Sequence, residues 1–473
     1  MTRVPNNTEV TRPPGNTLFW APQAWINGRW QSGVCLEVDS RGHWSRITPG
    51  MHTAPEAATV LQGAVLPGMV NAHSHAFQRA FAGLSERRDS DADDFWSWRD
   101  RMYGVALRIT PQQMRAVAAQ LYVEMLQGGY TQVCEFHYLH HSESGARYAD
   151  PAAMAWAVAD AASDAGLGIT LLPVLYERAG FTQPTLREDQ RRFAGTPDFI
   201  AGLQQTLSTS GRALLSAGVS IHSLRAASPA SITALLERVG DADLPIHIHI
   251  AEQMQEVRDC LAHTGKRPIE WLADALPLDA RWQLVHATHT QPAEIGAVAA
   301  SGAGIVICPS TEGNLGDGLA DLPAWLQHGV PMAIGSDSHV CRQWNEELRW
   351  LEYGQRMHLQ KRNVAAAPAQ DQSATAARLF EAALSAGAQA AGQKSWGLTA
   401  GARADMLVLN PQTSGLLGIP ASHLLDACVF ACDSAPLRDV FVAGRQVITR
   451  GQHAQQETIA TQFVQAMQTL SQA

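Results

Sequence analysis

The stretch LPGMVNAHSHAFQ, residues 66–78, decides the fold and the chemistry that we predict for this chain. A short apolar run ends there in His73 and His75, which are separated by one residue. Side chains on a strand alternate between its two faces, so residues two apart point the same way. Two imidazoles on one face, just past an apolar strand, form half of a zinc-type site. Because two solvated histidines give the same pattern, the other ligands have to come from elsewhere in the chain.

Further apolar, strand-like runs follow at regular intervals, with helix-like stretches between them. They lie near residues 131–136, 168–175, 217–222, 244–250, 282–286, 303–308 and 331–336. Several intervening stretches begin with Pro and end in Gly, as PQQMRAVAAQLYVEMLQGG (111–129) does, which is typical of helix caps. Eight strands alternating with helices over roughly 270 residues predict an α/β fold, a (β/α)8 TIM-like barrel. A doubly wound open sheet is the competing fold, but no GxGxxG motif follows the first strand.

The two ends of the chain predict a different kind of structure. Short aromatic and β-branched segments, punctuated by Gly and Asn, occur in residues 17–65 and return in residues 395–455. They predict antiparallel strands that pair into one small, discontinuous β-sandwich-like domain. The barrel is then expected over residues 66–394, and residues 456–473 are expected to form a C-terminal helix. Residues 1–16 are polar and rich in proline and are expected to form a mobile arm.

Composition restricts the class of protein. The chain has 473 residues, of which 46% are hydrophobic and 17% charged, so it can bury a large core. A net charge of −9 offers no basic stripe for nucleic acid. The N-terminus lacks the apolar core of a signal peptide, and no apolar run reaches the roughly 18–20 residues of a membrane span. The seven scattered cysteines contain no CxxC pair, which favours a reducing cytoplasm. Together these features predict a cytoplasmic protein without nucleic-acid or membrane partners.

Polar residues follow the later strands at the points where those strands end. The fifth run, LPIHIHIAEQ (244–253), supplies His249 and then Glu252. The sixth run ends in His286, and the eighth ends in Asp337. In a barrel these strand ends converge on one mouth. His73, His75, His249 and Asp337 are therefore the candidate ligands of one divalent metal, zinc or iron(II), with a position left for water.

Each candidate group has a chemical role and a structural alternative. A cation at this site would lower the pKa of bound water to about 7. Asp337 can ligate the cation and accept the water's proton, Glu252 can carry a proton to a leaving nitrogen, and His286 can hydrogen-bond the attacking oxygen. Alternatively, Glu252 is a charge at a helix N-terminus, Asp337 caps a turn and His286 belongs to the core. His247 is expected in the core, and His339 is expected to be a solvated loop residue.

These residues, in this order, resemble the amidohydrolase superfamily in its mononuclear branch. Members of the branch carry an HxH pair on strand one, His on strands five and six and Asp on strand eight, and many of them are deaminases. The fourth run, GVSIHSLRAAS (218–228), contains no lysine that could be carbamylated. The resemblance therefore implies one metal rather than two.

Several local motifs are similar to those of the formimidoylglutamate deiminases within this branch. They are HSHAFQRAFAGL (73–84), DDFWSWRDRMY (93–103), CEFHYLHH (134–141), HSLRAAS (222–228), PSTEGNLGDG (309–318) and GSDSHVCRQWNEELRWLEYGQR (335–356). Together they cover nearly every barrel loop. The resemblance implies a homodimeric hydrolase that converts N-formimidoyl-L-glutamate to N-formyl-L-glutamate and ammonia in histidine degradation.

A small dicarboxylate substrate calls for guanidinium groups, because Arg binds carboxylates in a bidentate manner. Arg225, just past the fourth strand, and Arg99, in the loop after the first strand, are the candidates. The resemblance adds Gln78, Tyr138 and His222 as substrate contacts. Their structural alternatives are a polar rim residue, a packed aromatic and a core histidine.

Two other functions compete with deimination. A related deaminase of the same branch would act on a nucleobase or on another amidine or guanidine compound. It would need an aromatic clamp and hydrogen-bonding groups rather than two arginines. A non-catalytic metal-binding protein built on a degenerate barrel is disfavoured, because Glu252 and His286 are both present.

Overall fold

The computed structural model describes residues 17–87 and 95–472. The predicted arm at 1–16 lies outside these residues, as do the first two residues of the 93–103 motif. The described chain forms a barrel of parallel strands and a sheet built from both chain ends. The first strands belong to the sheet: β1 (Thr17–Ile26), β2 (Arg29–Val38), β3 (Trp44–Thr48), β4 (Thr59–Val60) and β5 (Val65–Pro67).

The barrel strands are buried along almost their whole length, as expected for a parallel sheet covered on both faces. They are β6 (Met69–Ser74), β7 (Tyr130–His137), β8 (Gly168–Leu175), β9 (Leu215–Ala217), β10 (Val219–Ile221), β11 (Ile246–Ile250), β12 (Trp282–His286), β13 (Gly304–Ile307) and β14 (Met332–Ile334). Neighbours pair in chain order, and β9 and β10 share the fourth position, where both pair with β8.

The last barrel strand closes against the first. The amide of Asp337, just past β14, donates a hydrogen bond to the carbonyl oxygen of His73 on β6 at 3.0 Å. Nearby, the Asn71 side-chain amide donates to the Ser336 hydroxyl at 2.7 Å. Each of the eight predicted runs overlaps a barrel strand, although the first also contains residues of β5, which belongs to the sheet from the chain ends. The (β/α)8 prediction is confirmed.

Several helices begin at prolines that the sequence predicts as helix starts, as those at Pro111 and Pro229 do. The helices of the described residues are α1 (Phe95–Ala106), α2 (Pro111–Gln127), α3 (Ala153–Ala165), α4 (Pro197–Ser208), α5 (Pro229–Val239), α6 (Met254–Thr264), α7 (Pro268–Ala275), α8 (Pro292–Ser301), α9 (Pro309–Leu315), α10 (Leu322–Gln327), α11 (Trp344–Leu359), α12 (Thr375–Ala390), α13 (Leu424–Phe430) and α14 (Gln456–Gln472). Thr110 caps α2 and Ser228 caps α5, each by accepting a backbone hydrogen bond.

The remaining strands come from the C-terminal part of the chain: β15 (Met406–Leu409), β16 (Leu437–Val442), β17 (Arg445–Thr449) and β18 (Gln452–His453). Within the described residues, the end strands form one mixed sheet in the order β18-β17-β16-β15-β5-β1-β2-β3, with β4 beside β1. The two chain ends meet through β5, which pairs with both β1 and β15.

The predicted boundary at residue 66 falls inside β5. Leu66 and Pro67 pair with β15 in the end sheet, and the barrel begins only at Met69. The end sheet therefore extends to Pro67, and the division of the chain into domains stays a prediction. Among the helices of residues 17–87 and 95–472, none combines the length and the apolar character that crossing a membrane requires.

Candidate active site

The backbone is strained where the fifth, sixth and eighth barrel strands end. Ala251, His286 and Asp337 adopt φ angles of 53°, 71° and 45°, in the left-handed region. Such conformations cost non-glycine residues about 1–3 kcal/mol each and occur mostly at functional sites. Two of the three strained residues, His286 and Asp337, are predicted site residues, so the strain coincides with the candidate site.

The four predicted ligands bring their donor atoms together. The Nε2 atom of His73 lies 3.1 Å from Nε2 of His75 and 3.0 Å from Nε2 of His249. The Asp337 Oδ1 atom lies 3.3 Å from Nε2 of His75 and 3.6 Å from Nε2 of His73. Strands that are far apart in the sequence thus present four donor atoms to one point.

Backbone carbonyls fix the orientation of two of these imidazoles. Nδ1 of His75 lies 2.9 Å from the carbonyl oxygen of Phe136, and Nδ1 of His249 lies 2.9 Å from that of His222. A carbonyl can only accept, so each Nδ1 carries the hydrogen and each Nε2 keeps its lone pair. Metal-binding histidines are held in this manner.

The donor set fits a divalent cation. Three nitrogen lone pairs facing one another repel unless a cation lies between them. Tetrahedral zinc with Zn–N bonds of about 2.05 Å would hold its nitrogens about 3.3 Å apart, close to the spacing observed here. His286 also has a ring nitrogen within 4.8 Å of donor atoms of His73 and His249, so it borders the same point.

His286, Glu252 and Asp337 form an acidic cluster beside this point. Nε2 of His286 lies 3.7 Å from Glu252 Oε1 and 3.8 Å from Asp337 Oδ2. Burial favours the neutral form of His286, but the nearby carboxylates outweigh it and raise its pKa to about 10. Burial raises the pKa of Glu252. Burial also acts to raise the pKa of Asp337, but the His75 hydrogen bond and the neighbouring imidazoles lower it overall.

The predicted substrate contacts line one cavity with these groups. Arg99, Gln78, Tyr138, His222 and Arg225 share its wall with the catalytic candidates and with His75 and His249. His73 is fully buried behind that wall. The prediction that Arg99 belongs to a loop was wrong, because it lies in α1, a helix that contributes to the cavity wall.

Polar groups in the cavity wall are held in defined forms. The Gln78 side-chain amide donates to the Tyr138 hydroxyl at 3.3 Å, while Oε1 of Gln78 is buried without a hydrogen-bond partner among the described residues. Burial, followed by the positive charges of Arg225 and other neighbours, holds the pKa of His222 well below its usual value. His222 is therefore a neutral imidazole that can donate or accept a hydrogen bond.

Two residues near the site differ from expectation. His339 was predicted to be solvated, but it is fully buried. Its ring nitrogens can be buried because both are hydrogen-bonded, one to the Ser336 hydroxyl at 3.1 Å and the other to the His75 carbonyl at 3.0 Å. Glu312 was not singled out, yet it contacts His286. Its position at the end of the seventh strand, inside the PSTEGNLGDG motif, was the signal that could have identified it. His247 bonds the Ala390 carbonyl in the core, as predicted.

The fold and the donor set together define an enzyme class. The chain belongs to the amidohydrolase family, whose sequence model matches residues 64–447. The family is one of metal-dependent hydrolases.

Within the family, the chain is 46% identical over 452 residues to formimidoylglutamate deiminase from Pseudomonas aeruginosa, covering 95% of this chain and 99% of that protein. It is 28% identical over 387 residues to 5-methylthioadenosine/S-adenosylhomocysteine deaminase from Natronomonas pharaonis, covering 81% of each chain. The crystal structure of an amidohydrolase from Brucella melitensis superposes with a TM-score of 0.90 at 40% identity, covering 96% of this chain and 100% of that one.

Proposed function

We propose that this protein hydrolyses N-formimidoyl-L-glutamate to N-formyl-L-glutamate and ammonia, as a step of histidine degradation. One observation carries the proposal: a single cavity holds two arginines beside a cluster of metal-type ligands and carboxylates. The 46% identity to a formimidoylglutamate deiminase, over nearly the whole of both chains, supports it.

One divalent cation is assigned to His73, His75, His249 and Asp337. We propose zinc, with iron(II) as the alternative, since nitrogen and carboxylate donors suit both ions. A cation bound there lowers the pKa of coordinated water to about 7 and thereby supplies hydroxide at neutral pH. The backbone carbonyls behind His75 and His249 keep both rings aimed at the site.

The arginines are assigned to the two carboxylates of the substrate. Arg225 and Arg99 offer planar donor pairs that match carboxylate oxygens. His222, directly after the fourth strand, offers a neutral imidazole in the same cavity wall as a further hydrogen-bonding group. Gln78 and Tyr138 form the wall on the side of β6 and β7. These contacts leave the formimidoyl carbon to face the ligand cluster.

Three residues are assigned to proton transfer. Asp337 presents one carboxylate oxygen to the ligands and the other to His286, so it can accept the proton of the attacking water. Glu252 is buried with a raised pKa and can carry that proton to the departing nitrogen. His286 can hydrogen-bond the oxygen as it adds to the formimidoyl carbon. The surrounding carboxylates also stabilise the cationic amidinium of the substrate.

The alternative is a related deaminase that acts on a nucleobase, a nucleoside or another amidine. The 28% identity to a 5-methylthioadenosine/S-adenosylhomocysteine deaminase makes this the second candidate function. The two arginines in the wall argue against it, because a neutral heterocycle does not need them. A homodimer and a cytoplasmic location stay predictions.

Ammonia release tests the assignment directly. We expect the metal-replete enzyme to release one ammonia per N-formimidoyl-L-glutamate and to leave adenosine, guanine and cytosine almost unchanged. Chelation should abolish activity, and added zinc or iron(II) should restore it. A metal-replete sample that deaminates a nucleobase or nucleoside but not N-formimidoyl-L-glutamate would establish the alternative.

A further inference from the structure

Glu312 lies in the first turn of α9, just past the seventh barrel strand, and its side chain is buried. One of its oxygens, Oε1, makes two contacts. It accepts a hydrogen bond from the backbone amide of Cys308 at 2.9 Å, and it lies 3.3 Å from Nδ1 of His286. The Cys308 amide belongs to the backbone at the end of β13, so it holds this oxygen in a fixed position.

The other side of the His286 ring faces the reaction site. Nε2 of His286 points toward Glu252 and Asp337, at 3.7 and 3.8 Å. The ring also stacks on that of His249, with centroids 5.5 Å apart and planes inclined by 19°. Glu312 therefore contacts the one ring nitrogen of His286 that does not face the site.

The backbone conformation of His286 does not by itself favour the observed orientation of its ring. His286 has a left-handed φ of 71°, a conformation that is costly for a residue other than glycine. A ring turned by 180° would exchange Nδ1 with Cδ2 and Nε2 with Cε1, and would so present a carbon to the site. A fixed acceptor at Nδ1 removes that possibility, because a carboxylate accepts the Nδ1 hydrogen.

We propose that Glu312 is a positioning residue, which fixes the ring orientation of His286 so that Nε2 faces the reacting oxygen. The role rests on the proposed function, in which His286 hydrogen-bonds that oxygen. Glu312 acts through His286 and makes no contact with the substrate. The competing explanation is that Glu312 only satisfies the Cys308 amide and so stabilises the backbone.

A double-mutant cycle on the zinc-loaded enzyme separates the two explanations. Glu312→Met removes the acceptor while keeping an unbranched side chain, and His286→Asn removes the ring. We expect Glu312→Met to lower kcat by about 10- to 100-fold with little change in KM or zinc content, as is typical when the outer partner of a site histidine is lost. In the His286→Asn background the same substitution should have almost no effect on kcat. An equal loss in both backgrounds would overturn the proposal.

A second variant protects the test against misfolding. Glu312→Gln keeps an acceptor for the Cys308 amide, and its effect on kcat must likewise vanish in the His286→Asn background. Glu294→Gln is the matched control: Glu294 is also a buried carboxylate in a first helical turn that accepts a backbone amide, but it pairs with Arg267 outside the cavity. It should lower Tm and leave kcat unchanged.

Nitrogen NMR of histidine-labelled enzyme provides a readout that needs no substrate. The His286 signals are those that disappear in His286→Asn, and they should indicate a protonated Nδ1 in the native enzyme. Glu312→Met should change that pattern, whereas an unchanged pattern would overturn the positioning role. If the native enzyme released no ammonia from N-formimidoyl-L-glutamate, the proposed function would fail, and these spectra would still decide whether Glu312 holds the ring.

Discussion

Replacing Arg225 by methionine should weaken binding of the dicarboxylate and leave the chemistry of the amidine intact. Arg225 lines the cavity, and its positive charge acts on both His222 and Glu252. Burial lowers the pKa of His222, and Arg225 lowers it further. Burial raises the pKa of Glu252, and Arg225 partly opposes that rise. Methionine retains the apolar stem of the side chain, so the packing of the loop after the fourth strand is largely kept.

The size of the effect follows from the contact that is lost. A hydrogen bond to a charged group contributes about 1.5–3 kcal/mol, and each 1.4 kcal/mol is a factor of about ten in affinity. The KM for N-formimidoyl-L-glutamate should therefore rise by about 10- to 150-fold. For a substrate with an amidine and no carboxylate, such as formamidine, kcat/KM should stay near the native value.

Steady-state ammonia release with both substrates measures this difference. Arg238→Met is the matched control, because Arg238 is an exposed arginine on α5 that pairs with Asp198 outside the cavity. It should change neither substrate's kinetics. The reasoning would be refuted if Arg225→Met reduced turnover of formamidine and of the dicarboxylate by the same factor, or if it left both unchanged.

Three further predictions concern proton transfer, packing at the ligands and pH. Glu252→Gln should lower kcat by about 10²- to 10⁴-fold, with an unchanged metal content by elemental analysis; loss of the metal would contradict the assigned role. Gly335→Ala would place its Cβ 2.7 Å from Cβ of His73. The free energy of unfolding should therefore fall by about 1–3 kcal/mol, and elemental analysis should show a lower metal content. Gly296→Ala, where a Cβ meets nothing within 4 Å, is the control and should not destabilise the protein. Burial raises the pKa of Glu347 to about 8, so its contribution to stability is complete at acid pH and is lost as the pH rises through that value. The difference in Tm between Glu347→Gln and the native protein should therefore shift in favour of the variant between pH 6 and pH 9. Parallel profiles of Tm against pH would contradict this.

The barrel was predictable because its signals are local. A strand covered on both faces must be apolar along its length, so each barrel strand appears in the sequence as a short apolar run. Helix starts were visible for a similar reason, since Pro111 and Pro229 occupy first-turn positions that lack an amide partner anyway. The alanine-rich stretch 365–392 has the composition of an ordinary helix, but α12 begins only at Thr375. Pro368 lies in a short turn before it, where composition alone did not indicate the break.

The site was predictable in its residue types and less so in its contacts. His73, His75, His249 and Asp337 could be identified because each lies at or just past the end of a strand, and strand ends share one face of a barrel. Glu312 lies in the first helical turn after the seventh strand, inside one of the motifs. Its contact with His286 forms only in the folded chain and cannot be predicted from its neighbours along the sequence.

The sequence by itself determined which strands form the barrel and which side chains stand at their ends, because alternation and capping depend on neighbours along the chain. Only the tertiary structure decided which atom of each ring faces the cation site. Nδ1 of His75 is held by a carbonyl on β7, and Nδ1 of His249 is held by a carbonyl just past β10. A ring orientation fixed by hydrogen bonds to carbonyls of other strands is a property of the folded chain, since those acceptors meet the rings only when the barrel closes.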